Sequence, residues 1–309
     1  MHITVLLHEA VDALEIKPGG TYIDGTFGYG GHSRLILEKL GKNGRLIAFD
    51  KDMSAVTKGR TIKNENFQII HSSFSRIEQE LQELGVSQVD GILLDLGVSS
   101  PQLEVASRGF SFRLNGPLDM RMDTSQGQTA AEWIASVSEA HLGEVIRNYG
   151  EERFAKQIAR AVVVSRSQQP IVTTLQLAEI VATAIRSRKQ NRNPATRTFQ
   201  AIRIYLNQEL EELSLSLPQC VGLLNSGGRM VIISFHSLED RVVKRFMREA
   251  ANPDMLPRKL PIRNKEVLCL SRHKLRLVGK AVRPKENELA VNPRARSAVM
   301  RVAERVRPG

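Results

Sequence analysis

The segment Asp24-Gly25-Thr26-Phe27-Gly28-Tyr29-Gly30-Gly31-His32-Ser33 packs four glycines between an apolar strand pattern (Thr21 to Phe27) and a helical one (His32 to Leu40, with Leu35, Ile36, Leu37 and Leu40 on the helical repeat). Glycines in such a place let the backbone turn tightly and bring the N–H groups of a helix start close to a ligand. A full dinucleotide fingerprint beginning at Gly28 needs a third small residue at position 33, which Ser33 fills poorly. Asp50 stands twenty-two residues after Gly28, at the end of the next strand pattern. An acid there can accept both hydroxyls of a nucleoside ribose, and the alternative is an ordinary helix N-cap.

These residues need a frame, and the first hundred positions supply one. Strand patterns at Thr21 to Phe27, Arg45 to Asp50, Phe67 to Phe74 and Val89 to Gly97 alternate with helical ones at His32 to Leu40 and Ser75 to Leu84. Such alternation predicts an α/β fold with a doubly wound parallel sheet. Ligands bind such sheets at the carboxyl ends of the strands, so the loops near Asp24, Asp50, Phe74 and Asp95 are expected to converge on one crevice. From Val105 to about Pro194 helical patterns take over (Ala130 to Ser136, Glu139 to Ile146, Glu151 to Arg166, Thr174 to Arg188), a stretch too long for a connecting loop. The predicted organisation is therefore a core over 1–104, an inserted helical domain over 105–197, and a return to the core over 198–309. That return opens on one helix with Phe199, Ile202, Leu206, Leu210, Leu213 and Leu217 along a stripe. It then passes through Gly227-Gly228 into a strand from Arg229 to Phe235.

Charge narrows the partner. The net charge of +11 lies wholly in residues 257–309, with fifteen Lys and Arg against four Glu, while 1–256 balance. A second run, Arg186, Arg188, Lys189, Arg192, Arg197 and Arg203, holds no acid between its ends. Two such clusters favour a polyanion, because Lys and Arg that neutralise phosphates release counterions. No stretch approaches the eighteen or so apolar residues of a membrane span, and Met1 to Glu9 lacks the pattern of a secretory signal, so a cytoplasmic protein is expected. Cys220 and Cys269 fit no metal-ligand spacing and are expected to be structural thiols, with no bound metal.

Read from its acid, the glycine loop is D-x-x-x-G-x-G and resembles motif I of class I methyltransferases, with Thr26 where another glycine often stands. Six further segments extend the resemblance: DLGVSSPQ from Asp95, RGFSFRLNGPLDMRMD from Arg108, YGEERFAKQIARA from Tyr149, NPATRTFQAIRI from Asn193, ISFHSLEDR from Ile233 and NPRARSA from Asn292. Together they span nearly the whole chain, which is identified as a member of the RsmH family, also called MraW. Asn193 departs from the family, whose members more often carry His there. The resemblance implies a class I methyltransferase, Rossmann-like, acting on the N4 amine of a P-site cytidine in 16S ribosomal RNA within the small ribosomal subunit. S-adenosyl-L-methionine is the implied donor. It places cofactor contacts at Gly30, Gly31, His32, Asp50, Phe74, Asp95 and Gln102. His32 and Gln102 rest on the resemblance alone, and Phe74 could equally be core. The implied RNA contacts are Arg121, Arg197, Arg294 and Arg296, with the inserted domain and the basic C-terminal segment flanking the crevice.

The chemistry asks for alignment and for acceptors near the amine, whose lone pair is delocalised into the ring. Candidates are Asp95, Asp119 and His236. For Asp119 the alternative is to anchor the turn PLDMRMD, and for His236 a purely structural role. Two other classes share parts of the pattern. A nicotinamide oxidoreductase would carry the complete glycine fingerprint, and a non-catalytic RNA-binding protein leaves the glycine loop and Asp50 unexplained. A DNA cytosine-N4 methyltransferase is the alternative within methyltransferases, although DNA amino-methyltransferases carry a short acid- or Ser-Pro-Pro-aromatic motif where this sequence has DLGVSSPQ.

Overall fold

A computed structural model describes residues 3–185, 193–252 and 274–306, which divide into two compact units. The first unit joins residues 1–97 to 210–309, and the second is the continuous stretch 98–209. Both boundaries differ from those expected at 104/105 and 197/198.

The first unit runs α1 (Leu7–Ala13), β1 (Thr21–Asp24), α2 (Gly31–Leu40), β2 (Arg45–Asp50), α3 (Met53–Gly59), β3 (Phe67–His71), α4 (Ile77–Glu83) and β4 (Val89–Asp95). The strand lengths follow from alternation with both faces covered. Ile23, Ile47, Phe49, Ile92, Leu94 and Ile232 enter one apolar cluster, while their neighbours Tyr22, Leu46, Leu93, Val231 and Ile233 enter another. β3 stops at His71, three residues short of Phe74, which instead opens a 3-10 turn, Phe74–Arg76.

The second unit holds α5 (Ser100–Glu104), α6 (Ala130–Ser136), α7 (Glu139–Gly150), α8 (Ala155–Gln168), α9 (Thr174–Ala184) and α10 (Ala195–Leu206) around their own core, which includes Trp133, Ile146, Ile158, Leu177 and Phe199. α7 and α8 are parted at Glu151, whose φ of 48° ends the first helix. Arg186, Arg188, Lys189 and Arg192 of the basic run lie outside the described residues, as does Cys269. Cys220 is buried, and burial pushes its thiol up to about 12, which keeps it protonated and inert.

The single striped helix expected from Thr198 to Leu217 is two helices. α10 closes at Leu206, Gln208 takes a φ of 51°, and α11 (Glu209–Leu223) starts afresh at the last residue of the second unit and continues in the first. The break costs backbone strain, and Asn207 offsets it: its Nδ2 donates to Met120 O at 2.8 Å and its Oδ1 accepts Met122 N–H at 2.7 Å.

Beyond α11, the first unit resumes with β5 (Leu224–Ser234), α12 (Ser237–Ala251), β6 (Leu275–Leu277) and β7 (Val299–Arg305). The sheet order is β3-β2-β1-β4-β5-β7-β6, parallel through β5, with β7 antiparallel to both neighbours. This is the class I methyltransferase form of the doubly wound sheet. No helix among the described residues is long and apolar enough to cross a membrane.

Candidate functional site

The loop after β1 is stitched between its neighbours. Gly25 N–H donates to Leu93 O and Phe27 N–H to Phe49 O, both at 2.9 Å, while Thr26 Oγ1 accepts Asp95 N–H at 2.6 Å. That bond gives Thr26 a task at a position where many methyltransferase loops carry glycine. Buried Asp24 accepts Ser33 Oγ–H at 2.6 Å and Thr26 N–H at 3.2 Å. Asp50 uses both oxygens on backbone: Oδ2 accepts Gly28 N–H and Oδ1 accepts Asp52 N–H, each at 2.8 Å. The N-cap of α3 is Asp52, whose Oδ1 accepts Ser54 N–H at 2.9 Å. The capping role weighed for Asp50 thus belongs to its neighbour, and Asp50 ties the glycine loop to the end of β2.

The glycines at the start of α2 have a packing reason. Gly30 sits at φ 73°, and a Cβ there would lie 2.6 Å from the Phe27 ring; one on Gly31 would overlap Thr4 Oγ1. Any ligand approaching them meets backbone. His32 is buried: its Nε2 lies 3.2 Å from Val5 O, which places the proton on Nε2 and turns Nδ1 to within 3.7 Å of Asp95 Oδ2. Phe74 is half-buried just past β3, with its Cβ side against Gly25. The first unit therefore gathers Gly30, Gly31, His32, Asp50, Phe74 and Asp95 on the loops at the carboxyl edge of the sheet.

Among the described residues no Lys or Arg pairs with the three carboxyls here, Asp24, Asp50 and Asp95. Burial raises Asp24 to about 6 against the lowering by Ser33 and Thr26. Burial likewise raises Asp50 to about 6, against the lowering by its two backbone donors, with Asp52 and Asp24 adding repulsion. Asp95 is pushed well above the ordinary carboxylate range by burial, then by Asp24 and Glu239, and its buried Oδ1 has no hydrogen-bond partner. Such a cluster has acceptor capacity to spare and gains from a cationic ligand bearing hydroxyl donors. S-adenosylmethionine, with its sulfonium and ribose, fits that demand.

His236 is the N-cap of α12. Its Nδ1 accepts Glu239 N–H at 3.3 Å, and its Nε2 lies 3.1 Å from Glu239 Oε1; the other oxygen, Oε2, accepts Phe235 N–H at 2.7 Å. With Nδ1 occupied as acceptor, the neutral ring carries its proton on Nε2 and has no free lone pair. Sequence reasoning missed Glu239, although a Glu three residues after a capping residue is a readable signal.

The remaining residues fall elsewhere. In the second unit Gln102 is buried at the third position of α5, where its Oε1 accepts Ser99 N–H at 3.0 Å and closes a capping box. Asp119 is gripped by Arg121, with Nε to Oδ1 and Nη2 to Oδ2 both at 2.9 Å. Burial would raise the Asp119 carboxyl, but these Arg121 bonds win and hold it below its ordinary value. Arg121 Nη1 also donates to Gly127 O at 3.2 Å. The pair locks a turn, and Asp119 is not brought together with Asp95 in one unit. Arg197 is largely exposed and donates to Glu151 O at 3.1 Å. Arg294 and Arg296 are exposed on the 3-10 turn Pro293–Ser297 of the first unit.

Residues 1–306 match the MraW methylase family. The chain belongs to that family. Curated relatives named ribosomal RNA small subunit methyltransferase H are 68% identical over 307 residues in Nitrosospira multiformis (99% of this chain, 97% of that one) and 64% over 312 residues in Nitrosomonas europaea (100% and 98%). One from an Azoarcus species is 60% identical over 304 residues, covering 98% and 96%. The cofactor of this MraW methylase is S-adenosylmethionine.

Several segments that carried the resemblance prove to be joints of the MraW second unit. The YGEERF and NPATRTF segments hold one another: Gln200 Nε2 donates to Tyr149 O at 3.2 Å, alongside the Arg197–Glu151 bond. Asn193 has a local task, its Oδ1 accepting Ala195 N–H at 2.9 Å where α10 begins. In RGFSFRLNGPLDMRMD, Arg108 Nη2 donates to the carbonyls of Arg121 and Met122 at 3.0 Å.

Proposed function

We propose that this protein methylates the exocyclic N4 amine of a P-site cytidine in 16S ribosomal RNA, within the small ribosomal subunit and in the cytoplasm. The observation that carries the reading is the free Oδ1 of Asp95 at the end of β4, beside the glycine loop, in a chain whose relatives are named for the small-subunit RNA. A buried acceptor with no partner is costly unless a ligand donor meets it.

Asp50 would accept the ribose hydroxyls, Phe74 would cover adenine, and the backbone at Gly30, Gly31 and His32 would receive the methionine portion. Gln102 enters this set through the resemblance. When bound, S-adenosylmethionine supplies an already activated methyl group. What this chain adds is alignment. Asp95 would accept from the cytosine amine, hold its lone pair toward the donor side, and stabilise charge that develops there. Ionisation suits this task, and Asp95 ionises more readily once positive charge enters the crevice. His236 would position the loop after β5 through its bonds to Glu239, and the proton shed by the methylated amine would leave to water. Asp119 and Arg121, first considered as catalytic and RNA-binding residues, are better read as a turn lock.

The test is to incubate labelled donor with naked 16S RNA and with small subunits from cells lacking this gene, then map the modified nucleotide. Label on N4 of one P-site cytidine is expected. Label on another base, or on DNA in preference, would overturn the assignment.

A further inference from the structure

Away from the strand-end crevice, the first unit has a cleft of about 250 Å³ between the second half of α12 and the edge formed by β6, its following turn and β7. Its floor is apolar, built from Met247, Leu277, Val278 and Val302. Leu277, on the short edge strand β6, is 42% exposed, so this floor is open to a partner. Around the rim stand Lys244, Arg248 and Lys280, and among the described residues no carboxylate lines the cleft.

Among the described residues, the neighbouring acids Asp240, Glu249 and Glu304 are engaged. Asp240 takes Arg301 through two bonds at 2.7 and 3.0 Å, Glu249 takes Arg245 at 2.8 Å, and Glu304 takes Arg276 and Arg229. Among the described residues this leaves Lys244, Arg248 and Lys280 without an ion-pair partner, three like charges around one concavity. Uncompensated cations on a concave surface focus potential and attract a polyanion. The apolar floor distinguishes the place from a merely solvated face, since it gives sugar carbons something to cover.

We propose that this cleft is a second RNA site, where the ribose-phosphate backbone of the substrate RNA seats its sugar on the apolar floor and its phosphates on Lys244, Arg248 and Lys280. The inference rests on the RNA reading above and joins Lys280, from the basic C-terminal segment, to Lys244 and Arg248, which lie outside the charge clusters of the sequence. The placement suits one continuous strand. Lys244 follows His236 by eight residues on the helix that begins at the crevice, about 12 Å of helix rise. RNA leaving the crevice along α12 would reach the cleft directly.

The experiment compares the full-length protein with the combined variant Lys244→Gln, Arg248→Gln, Lys280→Gln. Arg245→Gln serves as control, because it removes a cation already paired outside the cleft. All these side chains are exposed, so folding and donor binding, read by calorimetry, stay as in the unsubstituted protein. For RNA the combined variant is expected to raise KM about tenfold at moderate salt with kcat nearly unchanged, and to flatten the salt dependence of binding by about two ion equivalents. The control should do neither. A KM and salt slope equal to the unsubstituted protein would overturn the proposal. So would a defect confined to assembled subunits with naked RNA bound normally, because the cleft would then meet a ribosomal protein. Were the unsubstituted protein to leave RNA unmethylated, the reading of the previous subsection would fall before any substitution was compared.

Discussion

Asp50 and Asp119 are both aspartates at a loop, each using both carboxylate oxygens, and they end in opposite electrostatic states. Asp50 has backbone N–H donors only, from Gly28 and Asp52, and burial raises it to about 6. Asp119 has a guanidinium in a two-point grip, and Arg121 keeps it low despite burial. The first arrangement is incomplete without a positively charged partner, and the second is complete already. Two acids in family motifs thus differ in what satisfies them, backbone N–H groups in one unit and a guanidinium in the other, and that difference is why a ligand role is proposed for Asp50 and not for Asp119.

The contrast is broken most forcefully at Asp119. Asp119→Ala leaves Arg121 half-buried and unpaired and should lower unfolding stability by about 2–4 kcal/mol, somewhat under the figure for a fully buried pair. Denaturant unfolding reads this, and donor affinity should not move. Full stability together with lost turnover would return Asp119 to the catalytic set.

Asp50→Ala should act the other way round, weakening donor binding by about 1.5–3 kcal/mol in a folded protein. Titration calorimetry giving an unchanged affinity would remove Asp50 from the site. The same measurement against pH sharpens the point. Asp24 and Asp50 sit at about 6 in the free protein, so protons must leave before the carboxylates can serve a cationic ligand. Donor affinity should therefore drop below pH 6 by up to about tenfold per pH unit for each coupled group, and Asp50→Ala should make that dependence shallower. Free-protein stability follows the opposite sign. A raised carboxyl contributes stability fully below its unfolded pKa of about 4 and loses it as pH rises through about 6. Asp119, being lowered, contributes above its unfolded value and loses its share only as pH falls through its depressed one.

A smaller effect is expected at His236, whose Nδ1 already accepts a backbone N–H. Single-turnover rate under saturating RNA and donor should be nearly flat from about pH 6 to 9, with His236→Ala slower by a roughly constant factor and about 1 kcal/mol less stable for its lost cap. A histidine acting as base would make the rate climb through one ionisation, and a climb abolished by the substitution would establish that role. Smallest of all, neutralising Arg294 and Arg296 together should flatten the salt dependence of RNA binding by about one to two ion equivalents while leaving donor affinity intact. An unaltered slope would make both arginines structural.

Much of the frame was legible because β1, β2 and β4 are short apolar runs with glycine and acid at their ends, and covered sheets demand such runs. The insertion of β7 between β5 and β6 was not, since Arg229 pairs with Glu304 across a separation no local pattern encodes. Nor was the split between α10 and α11: it carries no Gly or Pro, and its stabilising bonds reach from Asn207 to Met120 and Met122. In the site, Asp50 was readable from spacing and Asp95 from its place after a buried strand. The turn lock was weighed for Asp119, but its partner Arg121 was read as an RNA contact, because two residues of spacing do not reveal a bidentate grip.

The contact of Thr4 with Gly31 bears on the order in which a nascent chain can assemble. Residues 3–6 lie against the glycine loop, where Val5 O meets His32, yet they are held from the far end of the chain: Leu6 N–H donates to Glu288 Oε1 at 2.8 Å, and Asn292 Nδ2 donates to Ile3 O at 3.0 Å. During synthesis, then, the segment under the glycine loop must wait for residues 288 to 292 before these two bonds can form. The contiguous second unit faces no such delay and can condense while translation continues. The N-terminal segment thus completes its hydrogen bonds only after the far end of the chain has been made, although its own residues come first.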